Sequence, residues 1–125
     1  MDNIAGYKSI DAFVQGKLNA LNSRTPSFDT LFDLMFSEAD NILWERSIGF
    51  RIEKTTYGEA RTAVGRRAAA LAARLPGLPH DSIVGLCMDN SLDWIVTFWA
   101  ILCAGYRPLL MNLRLDPAVL EKTLA

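Results

Sequence analysis

Apolar residues early in the chain recur twice at helical spacing. Ile10, Phe13, Val14, Leu18 and Leu21 share one face of the segment Ser9 to Leu21, which predicts an amphipathic helix stopped by the polar stretch NSRTP. Phe28, Leu31, Phe32, Met35, Phe36 and Ala39 repeat the pattern and predict the buried face of a second helix. Thr25 or Ser27 serves as its cap, with Pro26 in the first turn. The period then shortens. NILWER and FRIEK are two short runs of mixed polarity around Ser47 to Gly49, a pattern that predicts a hairpin of edge-like strands.

The stretch TYGEARTAVGRRAAALAARL predicts the clearest helix. Thr56 and Glu59 form a Thr-x-x-Glu capping box, in which the hydroxyl accepts from an orphan amide and the carboxylate reaches back to the cap amide. Tyr57, Ala60, Val64, Ala68, Leu71 and Leu75 line its apolar face, and PGLPHD ends it. SIVGLCM, from Ser82 to Met88, is then a continuous apolar run of strand length, of the kind that suits a strand covered on both faces.

Asn90 or Ser91 can cap a following helix from about Leu92 to Ala104, with Gly105 placed to end it in the left-handed conformation. RPLLM supplies another short strand. Strand, helix and strand in this order predict a parallel βαβ unit. The run from Trp94 to Leu110 is the most apolar in the chain, but Arg107 and Pro108 interrupt it too early for a membrane span, so it reads as a crossover helix and the strand after it. A last helix is expected from Asp116, with Pro117 in its first turn, toward Ala125. It carries no stop signal, so the chain reads as cut there.

Composition narrows the function. Half of the 125 residues are hydrophobic, enough for a real core, and 13 basic against 14 acidic residues leave a net charge of −1, with no overall field for nucleic acid or an anionic membrane. Arg61, Arg66, Arg67 and Arg74 are the one basic cluster, read as the solvated face of the long helix. On that reading Arg67→Lys costs almost nothing. The N-terminus does not follow the pattern of a secretory signal, which makes a cytoplasmic location the default. Cys87 and Cys103 each lie in an apolar run and read as buried free thiols. His80 stands alone in PGLPHDS and reads as a loop residue.

Taken in order, these segments resemble the beginning of an AMP-forming, adenylate-forming ligase, the superfamily of acyl-CoA synthetases, nonribosomal peptide adenylation domains and luciferases. The resemblance covers roughly Ser27 to Ala125. TTYGEA resembles the family's first core motif, with Ala60 where leucine is usual. ILCAGYRPLLMNLRLDP resembles its second, with Cys103 where lysine is frequent and Leu110 and Met111 at the usual Pro-Leu positions. DSIVGLCMDNSLDWIVTFWA resembles the strand, Asn-Ser cap and Glu-Trp helix between them, with Asp93 replacing the glutamate.

The fold this implies is α/β: the N-terminal portion of the ligase large domain, a short hairpin plus a parallel βαβ unit with flanking helices. Residues 1–26 are then a helical leader, and residues 27–125 a partial subdomain. For the complete enzyme the resemblance implies ATP, Mg2+ and coenzyme A. A carboxylic acid becomes an acyl-adenylate, and the thiol of coenzyme A or of a carrier protein then takes the acyl group.

The machinery for that chemistry is absent from this sequence. Lys8, Lys17, Lys54 and Lys122 all lie outside any glycine-rich turn, so the family's phosphate loop has no counterpart. No catalytic, cofactor-binding or metal-ligating residue is assigned. Asp29 and Asp33 share a helix face but read as solvation, and Trp94, Phe98 and Ile101 read as a core stripe rather than a ligand wall. The expectation is an inactive scaffold piece that self-associates near Leu109, Leu113 and Leu120. The alternative is a stand-alone binding or assembly module.

Overall fold

The computed structural model of the chain describes residues 9–23, 27–111, 118 and 121–122. It is a mixed α/β structure of helices Ile10–Asn22 (α1), Phe28–Met35 (α2), Tyr57–Arg74 (α3) and Leu92–Cys103 (α4), and strands Ile42–Ile48 (β1), Arg51–Thr56 (β2), Ile83–Leu86 (β3) and Arg107–Leu110 (β4). Two compact units, Met1–Gly65 and Arg66–Ala125, divide within α3. Ala118, Glu121 and Lys122 are helical, in accord with the expected last helix. Asp116, Pro117, Leu113 and Leu120 lie outside the described residues, as do Thr25, Pro26 and Lys8.

In the first unit the caps form as their chemistry dictates. The Ser9 and Ser27 hydroxyls accept from the amides of Ala12 and Thr30, each at 3.1 Å, which removes orphan donors from α1 and α2. Strands β1 and β2 pair antiparallel, with Ser47 opposite Ile52 and a register shift between Ile42 and Trp44. Gly49 turns the hairpin at φ +60. The box at α3 is complete: Thr56 Oγ1 accepts from the Glu59 amide at 3.1 Å, and the Thr56 amide donates to Glu59 Oε1 at 3.3 Å.

The core of this unit is a small aromatic cluster under the start of α3. Phe32 and Phe36 meet at 4.4 Å between centroids, and Phe36 meets Tyr57 edge-on at 5.4 Å. Ala60 and Val64 are almost fully buried. The expected apolar faces are wider than the buried seam. Phe28 and Met35 are exposed, and α1 has no buried residue, with Ile10, Val14 and Leu18 about half open. Periodicity identified these stripes correctly as stripes; what covers them depends on tertiary partners.

In the second unit β3 and β4 pair in parallel, Ile83 opposite Arg107 through Leu86 opposite Leu110, with α4 between them in sequence, as the βαβ reading requires. Ser91 caps α4 by accepting from the Trp94 amide at 3.1 Å, and Gly105 follows it at φ +91. Leu86, Ile101 and Tyr106 form the core, and Leu71, Leu75, Val84, Met88, Trp94 and Phe98 pack around it.

One expectation is corrected here and another is extended. Strand β3 is shorter than the apolar run, and it is covered on one side only, with Leu86 buried but Ile83 64% exposed. The stripe Trp94, Phe98 and Ile101 faces the core as expected, with Ile101 buried and Trp94 and Phe98, stacked at 5.5 Å, partly buried against it; Val96, Trp99 and Ala100, which the stripe left out, are buried as well. A helix with only Asp93 and Thr97 as polar positions gives periodicity little means of separating the edge of its inner face from the centre.

Candidate functional site

The first unit holds a groove of about 500 Å³ between α1 and α2, lined by Ile10, Phe13, Lys17, Leu18, Leu21, Leu31, Leu34, Met35, Glu38, Asn41 and Tyr57. Its walls follow from the two helical stripes. The i, i+3, i+4 spacing puts Phe13, Lys17 and Leu21 on the same side of α1, and Leu31, Leu34 and Met35 on one side of α2. Tyr57 and Asn41 are brought together by backbone. The Tyr57 amide donates to the Asn41 carbonyl at 2.9 Å, and the Gly58 amide to the Ala39 carbonyl at 3.0 Å. A side chain at position 58 would press on Ala39 at 3.2 Å, so glycine permits this close approach.

The charge in the groove is internally balanced. Lys17 Nζ lies 2.9 Å from Glu38 Oε1, with both side chains about three-quarters buried, and it also donates to the Ser37 hydroxyl. The other described ion pairs join side chains at least 39% exposed, and such pairs contribute little. Lys17 also stands 5.3 Å from the Phe13 ring centroid, a distance at which an ammonium is attracted to the ring face. The Asn41 side chain and the Tyr57 hydroxyl make no hydrogen bond among the described residues. The site is thus an apolar trough with one neutralised ion pair and two uncommitted neutral polar groups.

The residues weighed from sequence fall elsewhere. Asp29 and Asp33 are both exposed, as the solvation reading expects, and Asp33 pairs with Arg61 at 2.5 Å, the guanidinium lying 5.4 Å from the Phe32 ring. Arg67 corrects the solvated-face reading: its Nη1 donates to the Thr97 hydroxyl at 2.9 Å and sits 3.4 Å from Asp93 Oδ1, tying α3 to α4 within the second unit. Arg66 and Arg74 are exposed as expected.

Cys103 is exposed rather than buried, because it ends α4 beyond the packed turn, and Cys87 is intermediate. His80 is an exposed loop residue whose ring lies against Gly105. No group of His, Cys, Asp and Glu suited to a metal occurs among the described residues, and no described helix is long and apolar enough to cross a membrane. The groove was missed from sequence because the second stripe was read as a buried face and the first only as amphipathic, with no space assigned between them. The available signal was two amphipathic helices in succession with the apolar surplus on both.

Comparison with known proteins adds an independent observation. The family model described as AMP-binding enzyme matches residues 39–125. The chain is 37% identical over 60 residues, 48% of its length, to 4-hydroxybenzoate–CoA/benzoate–CoA ligase of Rhodopseudomonas palustris. It is 34% identical over 115 residues, 87% of its length, to a plipastatin synthase of Bacillus subtilis. To a linear gramicidin synthase of Brevibacillus parabrevis it is 40% identical over 75 residues, 58% of its length. The matches span 11%, 4% and 1% of these relatives, about a tenth of their length or less.

Proposed function

The chain belongs to the AMP-binding enzyme family, and from that membership we propose that it is the N-terminal scaffold of an AMP-forming acid:thiol ligase of the acyl-CoA synthetase type. In this reading residues 27–125 are the partial ligase subdomain, and residues 1–26 are a leader. The complete cytoplasmic enzyme activates a carboxylic acid as its acyl-adenylate and passes the acyl group to coenzyme A or to a carrier-protein thiol. The observation that carries it is the family match across 39–125, which takes in the capping box, the βαβ unit and the Gly105 turn. The benzoate–CoA ligase relative favours coenzyme A, and the two peptide synthase relatives keep a carrier protein in view.

The residues described do not fit a nucleoside triphosphate. Lys17 is committed to Glu38, and Lys54 lies 3.8 Å from Glu45 on the exposed hairpin. The left-handed glycines Gly49, Gly77 and Gly105 each stand singly in separate turns and form no run of amides around an anion. No step through ATP is therefore derived on this chain, and its part is to supply scaffold. The groove between α1 and α2 favours a second reading, a binding module built on the start of the ligase fold.

Calorimetric titration of the 125-residue chain with ATP and Mg2+, beside an assay of pyrophosphate exchange into ATP, tests the scaffold reading. No saturable heat and no exchange are expected. Micromolar binding, about −8 kcal/mol, overturns it. The reading frame downstream separates the two readings, since continuation into a Ser/Thr/Gly-rich loop bearing a lysine supports the ligase, and a stop codon after Ala125 supports the module.

A further inference from the structure

We propose that the groove between α1 and α2 is a binding site for a neutral, mostly apolar small molecule carrying one hydrogen-bonding group. The inference stands on the groove's own chemistry and does not depend on the ligase reading. Its volume of about 500 Å³ lies within the range of small-molecule pockets, which are mostly apolar with a few placed polar groups. Ile10 and Leu18 of α1 and Met35 of α2 line it while remaining 56%, 47% and 47% exposed, so apolar wall area is available that folding has not covered.

Charge complementarity selects the ligand. The one cation among the described wall residues, Lys17, is already held by Glu38 and Ser37. An anionic ligand must compete with Glu38 for it and bring a second negative charge beside a carboxylate that is largely out of water. A cationic ligand meets Lys17 with the same difficulty. A neutral ligand disturbs neither, and the Asn41 amide and the Tyr57 hydroxyl, uncommitted among the described residues, can donate to or accept from its polar group. Burial of the apolar body supplies the affinity and the polar contact the orientation.

A matched pair of fluorescent probes tests the assignment on the 125-residue chain. N-Phenyl-1-naphthylamine is neutral, with an aromatic body and one N–H; 8-anilino-1-naphthalenesulfonate is the same ring system with a sulfonate. The neutral probe is expected to bind saturably at one site per chain and at least tenfold more tightly than the sulfonate. Leu18→Glu, at a half-exposed position, should weaken the neutral probe at least tenfold without changing the thermal midpoint. Tyr57→Phe or Asn41→Leu should weaken it two- to fivefold. Ile83→Ser, in the other unit, should leave the affinity for the neutral probe unchanged.

Non-saturable binding, equal affinity for the two probes, or sensitivity to Ile83→Ser and not to Leu18→Glu overturns the proposal. So does a dimer that excludes the probe and dissociates on Leu18→Glu, since the occupant is then a second copy of the chain. If Tyr57→Phe and Asn41→Leu both leave affinity unchanged, the hydrogen-bonding half of the proposal fails.

Discussion

Thr56→Ala dissects the start of α3. The Thr56 hydroxyl accepts from the Glu59 amide and donates to the Glu59 carboxylate, both at 3.1 Å. Alanine removes both contacts and leaves the amide of Glu59 to water or to nothing. The reciprocal bond from the Thr56 amide to Glu59 Oε1, at 3.3 Å, survives, and so does the favourable placement of a carboxylate in the first turn. Since half the box remains and the site is reachable by solvent, the loss belongs near the middle of the measured range for caps, about 1 kcal/mol.

For a chain of this size that corresponds to a fall of about 4 °C in thermal midpoint. Urea melts followed by far-UV circular dichroism measure it, with Thr56→Ser expected to stay close to wild type because it keeps the oxygen. The neutral control is Arg66→Lys, at an exposed position; Arg67 is unsuitable because of its bonds to Thr97 and Asp93. Coincident midpoints for wild type and Thr56→Ala, or equal losses for the alanine and serine variants, refute the cap.

Gly105→Ala should destabilise by more than the cap does. The residue sits at φ +91, where a side chain costs roughly 1–2 kcal/mol, and its Cβ collides with the His80 ring; a thermal midpoint unchanged within error would show that the turn can rearrange freely. The β3–β4 sheet has two strands among the described residues, with Ile83 64% and Leu110 56% exposed, so sedimentation equilibrium at tens of micromolar should reveal self-association that Ile83→Lys weakens. A clean monomer in both would remove that surface as a contact.

What the sequence displayed clearly was the chemistry that acts within one turn of the chain. The Ser27 and Ser91 caps, the Thr56–Glu59 box, the hairpin and the left-handed Gly105 all depend on neighbours a few residues away, and each formed as expected. Burial was less legible. Trp99 could not be told from Trp94 because α4 is apolar apart from Asp93 and Thr97, and Cys103 lost its cover by standing at the helix end. Arg67 resembled its exposed neighbours until a threonine thirty positions later supplied an acceptor. The groove required knowing that α1 lies along α2 without closing on it, a property of the pair that neither stripe contains.

The distal half of the hairpin is exposed on both faces from Ser47 to Lys54, with Phe50 in full contact with water. Its cross-strand charges, Arg46 with Glu53 and Glu45 with Lys54, are themselves in solvent and add little, and two strands alone are marginal in water. Opening should therefore begin at Gly49 and Phe50 and travel down the ladder until it meets the half-buried Thr55 and Thr56 at the foot of α3. Arg46 and Arg51 become accessible together in that excursion, while α3 keeps its first turn. Among the described residues the hairpin tip is thus the place that first offers its backbone to a protease, and a nick there leaves the helix start folded.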